Sequence, residues 1–325
     1  MKTFLNPFRN NRGAALIIVI LIVSVLIPVA LELNRSTRVD IYDAANLSDG
    51  IRLTYVAKSG FHGAAALVGN ARGDYDTLRE PWANAEALSA QSASLFSDAR
   101  FVVRVSDEHG KIPLNKLVTG NTVNADIREM LVRLLGLPGF DLNPKQAGEI
   151  VDAIIDWMDE DEEVTGAGAE SAYYAGQAFP YAAKNGPLDC IEELLMIKGM
   201  TGEIFAPTEE RPGLADLLTL HGTGALNINT APKMVLMALS DGITQEAAEK
   251  MDLYRRADGN DLSGTDWYKK ISGLGNIEIK AEMIENQKSN AFRIVSTGMA
   301  GQMERTVTGV IQRSPFRILT WRIDG

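Results

Sequence analysis

A single cysteine, Cys190, stands in a chain of 325 residues, so no intramolecular disulfide staples this fold. An oxidising compartment is therefore neither required nor forbidden. Because it opens the helical pattern Cys190-Ile-Glu-Glu-Leu-Leu195, the thiol is expected as a small buried hydrophobe. Histidine is scarce too. His62, His109 and His221 lie in unrelated contexts and read as surface or packing residues, so no Cys/His cluster exists for zinc. There is no G-x-S-x-G elbow, and Gly259-Asn-Asp-Leu-Ser-Gly-Thr265 lacks the lysine of a phosphate loop. No catalytic constellation remains, and the chain is not expected to be an enzyme. Basic residues number 32 against 42 acidic, a formal charge of −10 that argues against non-specific binding to nucleic acid.

What is present begins with one apolar run. Ala14 to Leu31 carries no charge, and as a helix it would be about 27 Å long, enough to cross the hydrocarbon core of a bilayer. Lys2, Arg9 and Arg12 precede it without an acidic residue, which holds the start of the chain in the cytoplasm and sends the body across. A cleaved secretory signal would instead have an apolar core of about 7 to 15 residues followed by a small-residue site. Here the small residue, Gly13, comes before the run, and Glu32, Asn34, Arg35 and Arg38 follow it. A cut at Gly13 would remove the basic leader and leave the anchor in place.

That order resembles the class III leader of type IV pilins and type II secretion pseudopilins. The resemblance implies cleavage by a prepilin peptidase between Gly13 and Ala14 and N-methylation of Ala14. Most members carry Glu at the fifth mature position, where this chain has Ile18. In the family that carboxylate is thought to pair with a neighbour's N-terminus, and a buried charge without a partner is costly. The K-type minor pseudopilin lacks it, as expected of a subunit with nothing above it. Removing the leader's three basic residues takes the charge from −10 to about −13.

Beyond the anchor, Ala44, Leu47, Ile51, Tyr55, Phe61, Ala64 and Leu67 keep helical spacing, which predicts one helix from Ala14 to Val68 with Pro28 removing a backbone donor and bending it. Residues 69–97 read as an irregular connection with one short helix. Arg100–Ser106 and Lys111–Asn115 flank a Gly-containing turn and predict a hairpin. Phe292–Thr297, Arg305–Ile311 and Phe316–Trp321 are β-rich, and with the first strands should form one antiparallel sheet under the long helix. The block between is helical. Asn143 caps a helix with Pro144 at its first position, and Asp189 with Glu192 suggests a capping box. Helical patterns follow at Leu214–Leu220, at Lys233–Leu239 capped by Asn229 or Thr230, at Thr244–Arg256 and at Ile277–Asn286. The fold class is therefore α+β, divided as leader 1–13, long helix 14–70, first part of the head 71–118, first helical insertion 119–222, second helical unit 223–286 and C-terminal strands 287–325.

Four phrases make the resemblance specific: Asp152-Ala-Ile-Ile-Asp-Trp-Met-Asp159, Gly168-Ala-Glu-Ser-Ala-Tyr-Tyr174, Leu188-Asp-Cys-Ile-Glu-Glu-Leu-Leu195 and Leu226-Asn-Ile-Asn-Thr-Ala-Pro232. They look like the general secretion pathway protein K family, the large minor pseudopilins of type II secretion, and the likeness runs the length of the chain. It implies a pilin-like head with a large all-α insertion of SAM-like or helix-hairpin-helix-like kind. It further implies a place in the bacterial inner membrane with the body in the periplasm, at the tip of a pseudopilus. The implied partners are the minor pseudopilins I and J, the prepilin peptidase and the inner-membrane assembly platform, and the implied role is support of protein export across the outer membrane.

One acidic run stands out. With Asp159 as first position, Asp161 is third, Glu163 fifth and Glu170 twelfth, the oxygen-ligand spacing of an EF-hand-like calcium loop. Val164 stands where such loops need Gly, and spacing alone equally fits a solvated acidic loop. The family resemblance also implies calcium here, with Asp156 and a carbonyl near Tyr173 as secondary donors. A competing likeness concerns Leu226–Pro232 with Gly242-Ile243, and Leu195–Met200. These resemble the helix-hairpin-helix of membrane-anchored DNA receptors, which bind phosphate through backbone amides. Thr244 and Thr201 replace the second glycines, and Glu246 and Glu249 put acidic charge where phosphate should sit. Both hairpins are therefore expected to be packing elements.

Overall fold

The computed structural model describes residues 11–324, so Lys2 and Arg9 of the leader lie outside the described residues. Helix α1 runs unbroken from Asn11–Gly69, through Pro28. It changes character halfway. From Gly13 to Asp49 every side chain is exposed, and this stretch includes a segment long and apolar enough to cross a membrane. From Gly50 onward Leu53, Val56, Ala57, Phe61, Ala64, Ala65 and Val68 form a buried stripe at helical spacing.

That stripe lies on a four-stranded antiparallel sheet: β1 (Arg100–Asp107), β2 (Ala291–Ala300), β3 (Met303–Gln312) and β4 (Arg317–Asp324), in that spatial order. Helix and sheet approach closely because glycine stands at the crossing. A Cβ on Gly298 of β2 would overlap the carbonyl of Leu53, and one on Gly60 of α1 would overlap Ser296 and Phe101. Trp82 packs edge-on against Phe292 at 5.0 Å between centroids, closing this core from the connection between α1 and the sheet. Helix α2 (Glu86–Leu95) covers the outer edge of β1.

The hairpin expected from Arg100–Ser106 and Lys111–Asn115 does not form. β1 pairs over its whole length with β2, from Arg100 opposite Met299 to Asp107 opposite Phe292. With α2 on the other edge, neither side is free for Lys111–Asn115. Instead Asp107 accepts the N–H of His109 at 2.8 Å and starts a 3-10 turn, Glu108–Gly110, after which Ile112–Pro113 runs parallel to Leu218–Thr219 in the helical body. Glu108 and Lys111 are both buried and paired at 2.5 Å, with Arg293 of β2 at 3.1 Å from the same carboxylate. Burial by itself would raise the Glu108 carboxyl, but the two cations overcome it and hold the group at about 2. Head and helical body are joined by this charged cluster.

The helical body has its own core, built on α3 (Ala125–Leu135) and α4 (Pro144–Met158). Asn143 accepts the N–H groups of Lys145 and Gln146, both at 3.0 Å, and Gln146 returns a bond to the Asn143 N–H at 3.1 Å, so the predicted cap is a complete capping box. Other local expectations are revised. Ile191–Met196 is a 3-10 helix in which Glu193, not Glu192, accepts from the N–H of Asp189 at 2.8 Å and of Cys190 at 3.1 Å. Cys190 is exposed rather than buried, because that tighter turn carries its side chain outward. Only Leu214–Leu217 is helical, since Leu218–Thr219 is taken as a strand partner by Ile112–Pro113. Lys233–Leu239 starts after Pro232 without a side-chain cap. Asn229 is engaged by the Trp267 indole at 2.8 Å, and Thr230 donates to Asp107 at 2.7 Å. The pattern at Thr244–Arg256 forms a helix over Gln245–Arg256, and Thr244 is its cap. Ile277–Asn286 holds one 3-10 turn, Ala281–Met283, and then Ile284–Glu285, which pairs in parallel with Leu226–Asn227. At Leu218–Thr219 and Ile284–Glu285, tertiary pairing outcompetes weak local helix preference.

Candidate metal centre

Helix α4 is amphipathic for its first two turns and buried all round thereafter. From Ile150 to Asp159 every side chain is buried, and three of those ten are aspartates. Asp152 is matched: it accepts from Arg128 at 2.7 Å and from the N–H of Ala167 at 3.2 Å. Asp156 and Asp159 are not. Spaced three apart, they face the loop that follows, where Glu170 returns to meet them just before the short helix Ser171–Ala175.

Ligand oxygens of Asp156, Asp159 and Glu170 all lie within 4.8 Å of one another, and all three residues are buried. Asp156 accepts one bond, from the N–H of Thr165 at 2.9 Å. Its Oδ2, Asp159 Oδ1 and both carboxylate oxygens of Glu170 have no hydrogen-bond partner. Buried polar atoms in folded proteins are normally satisfied, and four orphaned oxygens at one point are a donor set that could hold a cation. Burial first, and then the neighbouring carboxylates, push Glu170 up to about 7 and Asp159 up to about 6; Asp156 is raised by burial as well. Glycine makes the loop fit: a Cβ on Gly168 would overlap the Asp156 carboxylate, and Gly166, at φ +56°, comes as close to Asp152.

Of the residues picked out by spacing, the structure brings together Asp159 and Glu170. Of the other two, Asp161 accepts the N–H of Glu163 at 2.7 Å and lies near enough for its charge to help raise Asp159, while Glu163 is exposed. The loop does not follow the EF-hand register, because its glycines stand at 166 and 168 and not at 164. Asp156 is the third carboxylate of the cluster. It was legible as a carboxylate one helical turn before Asp159 on the same face. Around the cluster, Trp157 packs edge-on to Tyr174 at 5.2 Å, and Lys198 donates to the carbonyls of Ala167 at 3.0 Å and Gly168 at 2.9 Å, bracing the loop from outside. A donor set of oxygens alone suits a hard cation such as calcium.

A long N-terminal helix, half free and half laid on an antiparallel sheet, with a helical body inserted between the first strand and the rest, defines a pilin-like subunit carrying a large insertion. The family described as type II secretion system (T2SS), protein K, matches at residues 110–209 and again at 226–280. Type II secretion system protein K of Pseudomonas aeruginosa is 27% identical over 314 residues, covering 94% of this chain and 90% of that one. The Aeromonas hydrophila protein of the same description is 26% identical over 213 residues, 61% of this chain and 62% of its own. Among solved structures, a chain from the GspK–GspI–GspJ complex of the enterotoxigenic Escherichia coli type 2 secretion system shares the fold, with a TM-score of 0.62 at 18% identity over 87% of this chain and 98% of that one. The chain belongs to the type II secretion system protein K family and is a minor pseudopilin.

The DNA-receptor reading finds no support. The second family match takes in Leu226–Pro232, the segment that suggested it. Asn227, Asn229 and Thr230 of that segment are buried and bonded inward, to Ser289, Trp267 and Asp107 among others.

Proposed function

We propose that this minor pseudopilin is a non-enzymatic tip subunit of the type II pseudopilus, assembling with the minor pseudopilins I and J and binding calcium at Asp156, Asp159 and Glu170. The observation that carries the reading is the division of α1: its exposed apolar half is free to insert beside other helices, while its other half is committed to the head. Ile18 supports placement at the tip, since a subunit without a neighbour above has no ammonium to pair. The naming of I and J in the solved complex that shares this fold supports the choice of partners.

In this reading the chain enters the bacterial inner membrane with its N-terminus cytoplasmic and its body periplasmic. Prepilin peptidase cuts after Gly13, Ala14 is methylated, and the assembly platform lifts the helix from the bilayer. Calcium would tie the end of α4 to the start of Ser171–Ala175 and neutralise the clustered carboxylates, locking the insertion's surface for contact. The decisive experiment is the intact mass and N-terminal sequence of membrane-extracted protein from cells with and without the peptidase, together with co-purification of I and J. A peptidase-dependent product starting at methylated Ala14 that carries both partners is expected; an uncut chain without them defeats the proposal.

A further inference from the structure

The hairpin Leu195–Met200 is left without a role once DNA binding is set aside. Its tip is a turn, closed by the Met200 N–H on the Ile197 carbonyl at 3.1 Å, with Gly199 at φ +84°. A Cβ on Gly199 would press on Ile150, so the turn sits directly on α4, the helix that carries Asp156 and Asp159. Lys198 is thereby presented to the loop that closes the metal centre.

Beside so many carboxylates, Lys198 gives its protons to backbone. Among the described residues it forms no salt bridge; its ammonium donates to the carbonyls of Ala167 at 3.0 Å and Gly168 at 2.9 Å and lies 5.2 Å from the centre of the Tyr173 ring. The Lys198 N–H adds a bond to Tyr174 Oη at 3.2 Å. One residue therefore grips the chain on both sides of Glu170, at Ala167 and Gly168 before it and at Tyr173 and Tyr174 after it. The inner side of the same stretch is fixed by α4: the Ala167 N–H donates to Asp152 at 3.2 Å, and a Cβ on Gly168 would overlap the Asp156 carboxylate. Glu170 makes no cap bond to the short helix it precedes, and neither of its carboxylate oxygens has a partner. Its place against Asp156 and Asp159 is set by the segments that flank it.

We propose that Lys198 is a positioning residue of the metal centre: it locks the loop from Ala167 to Tyr174 in the shape that brings Glu170 to Asp156 and Asp159, and so tightens cation binding although it is itself a cation. The inference rests on the reading of these three carboxylates as a calcium site. Two opposed effects make it decidable. A lysine acting only through its charge repels a divalent ion and weakens the site. A lysine that holds the ligand-bearing backbone acts the other way, and loss of such support costs roughly 10- to 100-fold in metal affinity.

The test is calorimetric titration of calcium into the full chain in detergent, stripped with chelator and held at fixed ionic strength. Wild type is compared with Lys198→Met, which keeps the apolar stem and removes the ammonium, and with Lys198→Arg, which keeps charge and donors. Lys198→Met should bind about tenfold more weakly or worse, and Lys198→Arg should recover most of that loss. The melting temperature in chelator, read on the same preparations, checks that each variant is folded; a lysine serving the fold alone would lower that temperature and leave the affinity unmoved. Unchanged or tighter binding by Lys198→Met overturns the proposal and leaves the three carboxylates standing as the site. A loss that arginine does not recover also overturns it, because packing and not the ammonium then carries the effect. A wild-type chain that takes up no calcium overturns the positioning role together with the calcium reading on which it rests.

Discussion

Glu108 and Glu170 are both buried carboxylates, and their surroundings drive them in opposite directions. Lys111 and Arg293 hold Glu108 at about 2, while Glu170, beside Asp156 and Asp159, rises to about 7. For Glu108 the folded pKa lies below the ordinary value of 4.5, so its contribution to stability is present above that value and lost as pH falls from about 4.5 to about 2. Chemical denaturation across that range should show the loss, and Glu108→Gln should flatten the slope while lowering stability at neutral pH, since Lys111 would remain buried without its partner. At the metal centre, calcium at one hundred times its dissociation constant should add about 2.7 kcal/mol, a melting-temperature rise of several degrees over protein in chelator. Asp156→Asn with Glu170→Gln should abolish that rise, whereas Glu163→Gln should leave it intact. A shift retained in the double variant would place the ion elsewhere.

Among the elements, α1 depends on glycine where it crosses the sheet. Gly298→Ala would press a methyl group into the carbonyl of Leu53, with α1 backbone on one side and β1 on the other leaving no room to yield. The expected cost is about 1–3 kcal/mol, read as a lower denaturation midpoint with an unchanged slope. Ser92→Ala tests the closed edge of β1. It strips the partner from the Phe101 N–H and should cost about 1–3 kcal/mol, appearing in hydrogen exchange as faster loss of protection at Phe101 before the rest of the strand. The helical patterns at 143–158 and 244–256 were legible because their signals are local, the first with its cap Asn143 acting within its own turn. Lys111–Asn115 and Ile277–Asn286 were not, because each takes its strand partner from a segment far away in sequence.

At the scale of the whole molecule, α1 carries an exposed apolar half and a half laid on the head, and the proposed cut after Gly13 would free the start of the apolar half. Gly13→Val should leave the protein anchored but uncut, visible as a retained leader mass. Ile18→Glu should fold normally, with an unchanged melting temperature of the exported body, yet shift the subunit from the tip into the shaft when filaments are imaged with a labelled chain. Unchanged tip labelling in that variant would remove the argument built on Ile18.

The order of residues by itself carried the apolar run and the glycine before it, the long helix, the strands of the head and two carboxylates, Asp159 and Glu170, of the candidate metal site. Each of those rests on local properties: an uncharged run, a glycine before it, an apolar stripe at helical spacing, β-branched alternation, and acids crowded into one loop. Only the tertiary structure decided that Asp156 meets Asp159 and Glu170 in one buried cluster, that Cys190 faces solvent, and that β1 pairs with β2 and not with its neighbour in sequence. These depend on which backbone edges and buried volumes remain free once the chain is packed. Periodicity along the chain carries no record of that competition.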